Sequence, residues 1–317
     1  MGQPRRGRAG RRAGWRLVFL GDVTLDVVLR PDRRLAPGTD VPGHVALRAG
    51  GSAANGARWA ARLGARSSFV GAVGRDGIAG RLTAALRADR VTPHLIRVPG
   101  RTARIGVVVE HGERSFVADR AAADQLRPES LRARWFVADA LHLPAYSLLS
   151  DSLFAASLKA VELARANHAL VSVDLASRGP LLSHGRREVV RRLVRVKPDL
   201  LLGNEPEVAV IAAARGPRAL LELAAVVCVK RGAEGCAMWA RPDGGSTAPL
   251  TLEVPAGRLP AEDTTGAGDA FDAGFLLAWL DARAAGSRLA TAMRRAAVAG
   301  NRAAARHLSQ RRRELPL

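Results

Sequence analysis

Asp263-Thr264-Thr265-Gly266-Ala267-Gly268-Asp269-Ala270-Phe271 runs straight into a stretch whose apolar residues Phe271, Phe275, Leu276 and Trp279 recur at helical spacing. A helix start presents free N–H groups and the positive end of the macrodipole. Two glycines and an alanine leave that backbone uncovered, so a phosphate can approach it. Asp269 falls in the first turn, beside the anion position, where a carboxylate is repelled unless it has a task. Taking a proton from an attacking hydroxyl is such a task. The segment is not a Walker P-loop, because no Gly-Lys-Ser/Thr follows. It is not the dinucleotide fingerprint, because Phe271 stands where the third glycine belongs. Thr-Thr-Gly-Ala can also be a plain helix cap, so two readings stay open on these residues alone.

Working outward, the last third predicts two long helices, over 267–285 and 289–309. Upstream, apolar runs alternate with helical patterns. Strands are predicted at 136–138, 170–175, 200–202 and 225–229, and helices at 151–167, 186–196, 206–214 and 218–224. Runs apolar on both faces suit a parallel sheet covered by helices. The first half predicts strands at 16–21, 25–29, 45–48 and 68–73 and helices at 52–63 and 78–89. A hairpin at 104–109 and 114–117 turns at His111-Gly112-Glu113. The expected fold class is α/β: a doubly wound, mainly parallel sheet flanked by helices, with a small β-sheet lid built from strands within 25–48 and 104–117.

The chain has 317 residues, 48% of them apolar and 25% charged, which suits one large α/β domain with a small accessory element. The longest apolar runs, such as 223–229, are far short of a bilayer span, and the basic N-terminus lacks the apolar core of a secretory signal. Cys228 and Cys236 cannot make a disulfide framework and lack zinc-site spacing. A cytoplasmic protein without a membrane partner is expected. The net charge of +20 is concentrated at the ends: residues 1–16 hold six arginines and no acid, and residues 302–317 hold five arginines and one glutamate. Arginine with abundant alanine fits a GC-rich coding bias, and no aromatics beyond Trp15 interleave with these arginines, so nucleic acid is not the expected partner. The expected organisation is a disordered basic tail at 1–14, one large α/β domain at 15–309 and a basic C-terminal tail at 310–317.

A second, distant segment bears on the first. Gly50-Gly51-Ser52-Ala53-Ala54-Asn55-Gly56-Ala57, followed by Leu63-Gly64 and by Val70-Gly71-Ala72-Val73-Gly74-Arg75-Asp76-Gly77, resembles the N-terminal signature of the ribokinase (PfkB) family of carbohydrate kinases. Asp263–Phe271 resembles that family's C-terminal signature. The resemblance spans roughly residues 16–309. It implies ATP-dependent phosphorylation of a sugar-like hydroxyl, with Asp269 as the base and the backbone of Gly266, Ala267 and Gly268 as the anion hole. It implies Asp26, Gly50, Gly51 and Asn55 as acceptor-binding residues. Lys230, Arg231, Gly232 and Gly235 would line the nucleotide site. Asn204 and Glu207 would position Mg2+ through water and phosphate. Asp263 and Thr265 match positions where some members hold a K+-like cation.

Each of these has a local reading as well. Asn204 can cap the helix that Pro206 opens, with Glu207 in its first turn. Lys230-Arg231 can be a solvated strand end. Arg120 is a further candidate, for an acidic sugar group. Ser52 stands where ribose-specific members usually carry lysine, and scarce aromatics rank a nucleoside acceptor lower. The competing reading from another class is a sugar-sensing or nucleic-acid-associated protein on a kinase fold. The family lid also makes a homodimer an expectation.

Overall fold

The runs that are apolar on both faces become the strands of one large sheet. The computed structural model describes residues 14–110, 113–242, 248–257, 263–310 and 313–315. Its first half contains β1 (Arg16–Leu20), β2 (Thr24–Pro31), β3 (Gly43–Gly50), α1 (Ser52–Arg62), β4 (Arg66–Val73), α2 (Gly77–Ala88), β5 (Thr92–Arg97), β6 (Arg104–Glu110) and β7 (Glu113–Asp119). Then come β8 (Ala140–Pro144), α3 (Asp151–Ala166), β9 (Leu170–Asp174), α4 (Arg178–His184), α5 (Arg186–Val196), β10 (Leu200–Asn204), α6 (Glu205–Ala212), β11 (Val226–Lys230), β12 (Cys236–Ala240), β13 (Leu250–Val254), α7 (Ala267–Ala284) and α8 (Leu289–Leu308).

The large sheet has the order β13-β12-β11-β10-β9-β8-β1-β4-β5. From β11 to β5 every pairing is parallel, while β12 pairs antiparallel with both of its neighbours. Successive residues of β1 feed opposite layers. Leu17 and Phe19 join the core under α1, α2, α7 and α8, and Val18 and Leu20 join the core under α3, α5 and α6. The α7–α8 crossing is close because Gly274 lies where a Cβ would stand 2.7 Å from the Ala299 carbonyl oxygen. A second sheet, in the order β3-β2-β6-β7, forms the lid. Its own core is small: Val28, Ala46 and Val107.

Several expectations shift. The strand expected at 136–138 lies at Ala140–Pro144 instead. Phe136 is fully buried, but at the end of a short 3-10 segment, Ala133–Phe136, in which the Trp135 N–H donates to the Arg132 carbonyl at 2.9 Å. The helix expected at 218–224 is a 3-10 segment, Pro217–Glu222. The periodicity also missed β5, β13 and α4, which are short and partly polar, and β12, which is short but apolar. Cys228 and Cys236 are free and buried on neighbouring strands. The proposed N-terminal tail, apart from Gly14, and the turn at 111–112 lie outside the described residues. Within the C-terminal segment, the Leu315 N–H donates to the Leu47 carbonyl at 2.7 Å, so residues 313–315 run beside β3. No described helix is long and apolar enough to cross a membrane.

The chain order turns at β1, which has β8 on one side and β4 on the other. In open α/β sheets ligands bind beyond the carboxyl ends of the strands near such a turn. Asp22 follows β1, and Asp174, Asn204 and Lys230 end β9, β10 and β11.

Candidate active site

Asp269 sits in the first turn of α7, facing the first turns of α1. Its Oδ1 accepts from the Ser52 hydroxyl and its Oδ2 from the Asn55 amide, each at 3.0 Å. Two bonds from one neighbouring helix fix the plane of the carboxylate. Desolvation pushes its pKa up to about 7, outweighing the lowering by the Asn55 bond. Gly266 occupies the left-handed region at φ 81, the turn that aims the start of α7. A side chain at Gly268 would begin 3.3 Å from Lys230 Nζ, so the backbone there lies open above that ammonium. Of the three N–H groups expected to line an anion hole, that of Ala267 is engaged by the Thr264 carbonyl at 3.1 Å. The first-turn N–H groups of Gly268 and Asp269 precede any intrahelical acceptor.

Lys230 is a buried hub and not a solvated strand end. Its Nζ donates to Asp174 Oδ1 at 2.8 Å and to Asp272 Oδ1 at 3.2 Å, and Asp272 lies one helical turn beyond Asp269. Burial works against its charge, but Asp174 and Asp272 hold its pKa well above the ordinary value. His142 packs beneath, with Nε2 3.9 Å from Asp272 Oδ2, and burial lowers its pKa to about 4, so it is neutral at pH 7.

Asn204 and Glu207 form a full capping box for α6. Asn204 Oδ1 accepts from the Glu207 N–H at 2.9 Å, and Glu207 accepts from the backbone N–H and the amide of Asn204 at 2.8 Å each. The local reading of this pair is what its geometry shows. Burial, then Asp174, raises Glu207 to about 7. Arg231 turns outward to Glu205 and Glu253 at 3.2 and 3.0 Å. Gly235 is a turn glycine at φ 94, where a Cβ would meet the Val254 carbonyl at 2.1 Å. Among the described residues no bond ties Arg231, Gly232 or Gly235 to the Asp269 cluster.

On the lid side, Asp26 in β2 accepts from the Thr24 hydroxyl at 2.6 Å. Its carboxylate lies over Gly50, where a Cβ would come within 2.1 Å of Oδ2. Gly51 has φ 95, and a side chain there would strike the Asp22 carbonyl oxygen at 2.4 Å. Arg120 is committed to Asp124 at 2.8 Å and to Asp22 at 3.3 Å, with its guanidinium 5.0 Å from the Tyr146 ring centroid. Its Nε and Nη1 are taken by these two carboxylates, while its Nη2 is buried without a hydrogen-bond partner.

Asp263 and Thr265 are not gathered around an open position. Asp263 faces Arg48 at 3.2 Å, Arg114 at 3.3 Å and Arg30 at 3.6 Å, all on lid strands. Arg114 also donates to the hydroxyls of Thr264 and Thr265. Sequence reasoning missed Arg30, Arg48, Arg114, Asp174, Asp272, His142 and His307. The helical spacing from Asp269 to Asp272 was a usable signal; for the lid arginines, lost among many others, there was none.

A half-buried carboxylate on a helix start, an uncovered glycine backbone and a small second sheet beside them suit a small-molecule kinase. The family model described as pfkB family carbohydrate kinase matches residues 16–314, and the chain belongs to that family. Among curated proteins it is similar to the probable fructokinase-4 of Arabidopsis thaliana, 29% identical over 282 residues, covering 84% of this chain and 83% of the relative. Its fold matches an adenosine kinase from Sinorhizobium meliloti with a TM-score of 0.80 at 23% identity, covering 94% of this chain and 95% of that one. It also matches a fructokinase with bound ATP from Xylella fastidiosa, with a TM-score of 0.77 at 24% identity over 94% and 93% of the two chains.

Proposed function

We propose that this carbohydrate kinase phosphorylates a hydroxyl of a neutral sugar of the ketohexose type, with Asp269 as general base. The observation that carries this reading is the Asp269 carboxylate, held by Ser52 and Asn55 beside the uncovered start of α7. The names of relatives point to fructose. Arg120 already spends Nε and Nη1 on Asp124 and Asp22, which favours an uncharged acceptor over a sugar acid.

The residues present fit ATP and Mg2+. When bound, these supply the transferable phosphoryl group and neutralise its charge. Gly266 and Gly268 leave room for a phosphate, and Lys230 lies beneath. No cluster of three or more His, Cys, Asp or Glu among the described residues could grip a metal directly. Both Glu207 oxygens already accept from Asn204, so that pair would act on Mg2+ through water.

The remaining steps belong to the chain. Asp26 accepts hydrogen bonds from acceptor hydroxyls as the lid covers the sugar, and the lid excludes water. Asp269 takes the proton of the attacking hydroxyl. The first-turn N–H groups of α7 stabilise the charge on the phosphoryl oxygens.

A coupled assay of ADP release over hexoses, sugar acids, sugar phosphates and nucleosides tests the reading, and fructose is expected to be turned over best. Turnover confined to a nucleoside or a sugar acid would refute it. Because Asp269 must be ionised and its pKa is about 7, kcat/KM is expected to rise about tenfold per pH unit up to that point and then level off. Glu207→Gln should keep this acid limb, and its loss in that variant would move the base assignment. Gly50→Ala forces Asp26 aside and should raise the acceptor KM about tenfold to a hundredfold, with the KM for ATP little changed.

A further inference from the structure

The positions that correspond to a monovalent-cation site do not fit a cation in this chain. K+ needs several oxygen ligands free to face it. Here Asp263 Oδ1 accepts from the Thr265 N–H at 3.1 Å and from Arg114 at 3.3 Å. Asp263 Oδ2 faces Arg48 and Arg30. Both threonine hydroxyls accept from Arg114. A further oxygen of the turn, the Thr265 carbonyl, has His307 Nε2 2.7 Å away.

The tautomer of His307 follows from its other neighbour. Trp59 Nε1–H can only donate, and it reaches His307 Nδ1 at 3.1 Å. Nδ1 is therefore the acceptor, the ring proton sits on Nε2, and Nε2–H donates to Thr265. Three guanidiniums around one carboxylate also repel a further cation.

We propose that Arg114 and His307 are positioning residues that hold the Thr264–Gly266 turn in place of a monovalent cation, so that phosphoryl transfer by this chain needs no potassium. Arg114 reaches across from β7 of the lid, and His307 comes from the end of α8. Between them they fix both side-chain hydroxyls and the carbonyl immediately ahead of Gly266. Because Arg114 belongs to the lid, that turn is ordered when the lid is down. The inference rests on the kinase reading, but it can fail separately.

The test compares KCl with tetramethylammonium chloride at equal ionic strength. The wild-type kcat is expected to agree within about twofold between the two salts, and the melting temperature to show no K+-specific rise. Arg114→Met is expected to lower kcat about tenfold to a hundredfold in tetramethylammonium, with partial recovery in KCl as the vacated position admits the ion. Arg114→Lys should lie between. A wild-type kcat raised severalfold by K+, a K+-specific rise in wild-type melting temperature, or wild-type kcat in Arg114→Met without K+ would each overturn the inference. If no acceptor is phosphorylated in either salt, the kinase reading fails, and the melting comparison still decides whether the cation position is filled.

Discussion

Asp269→Asn is expected to lower kcat by about 10² to 10⁴-fold while ATP affinity changes less than about threefold. The amide fills the same space and can still meet Ser52, but it cannot accept the hydroxyl proton. Loss of activity through misfolding is distinguishable by the direction of the stability change. The group ionises near 3.8 when unfolded and at about 7 when folded. Between those values the folded protein keeps a proton that the unfolded chain has lost, so this group's contribution falls as pH rises through the window. Removing the ionisable carboxyl should therefore raise the melting temperature at pH 8 and change it little at pH 4. Near-normal turnover in the variant would refute the base assignment. Dead enzyme that also melts lower at pH 8 would place Asp269 in the structure rather than in the chemistry.

Lys230→Met is the second large effect. It withdraws the cation from between Asp174 and Asp272, whose side chains are 6% and 1% exposed. Breaking a buried pair by removing one partner costs about 3–5 kcal/mol, because the other charge is stranded. The unfolding free energy from urea titration is expected to fall by about that much at pH 8. At lower pH the loss should shrink, since an unpartnered buried carboxylate has a raised pKa and folding then favours the protonated form. Adding Asp174→Asn and Asp272→Asn should restore part of the loss at pH 8 without restoring turnover. Stability unchanged by Lys230→Met would mean that the ion cluster is not what holds these strand ends together.

The sequence carried the long periodic elements well. α1, α3, α7 and α8 fall within a residue or two of the pattern, because each buries a continuous apolar stripe. The two glycine-rich segments also led to a shared pocket, where Asn55 and Asp269 meet. Their union depends on α1 packing against α7, which no local pattern records. What stayed illegible was pairing between charged groups. Lys230 read as a strand end because its partners, Asp174 and Asp272, are 56 and 42 residues away. The arginines that meet Asp263 were equally illegible, because they arrive from three separate lid strands. Ser52, noticed only as a departure from lysine, turns out to donate to the Asp269 carboxylate.

The two sheets have very unequal interiors. The large one is packed on both faces, whereas the lid encloses only Val28, Ala46 and Val107 and leaves Val45, Phe116 and Val117 exposed. Amides of the lid should therefore exchange through local opening at a small fraction of the free energy that guards the body. Its resting position is set less by its own packing than by the charges that reach from it to Asp263. Sugar capture and lid order are then one equilibrium, and a sugar that cannot hold the lid down gains little from fitting the floor beneath it.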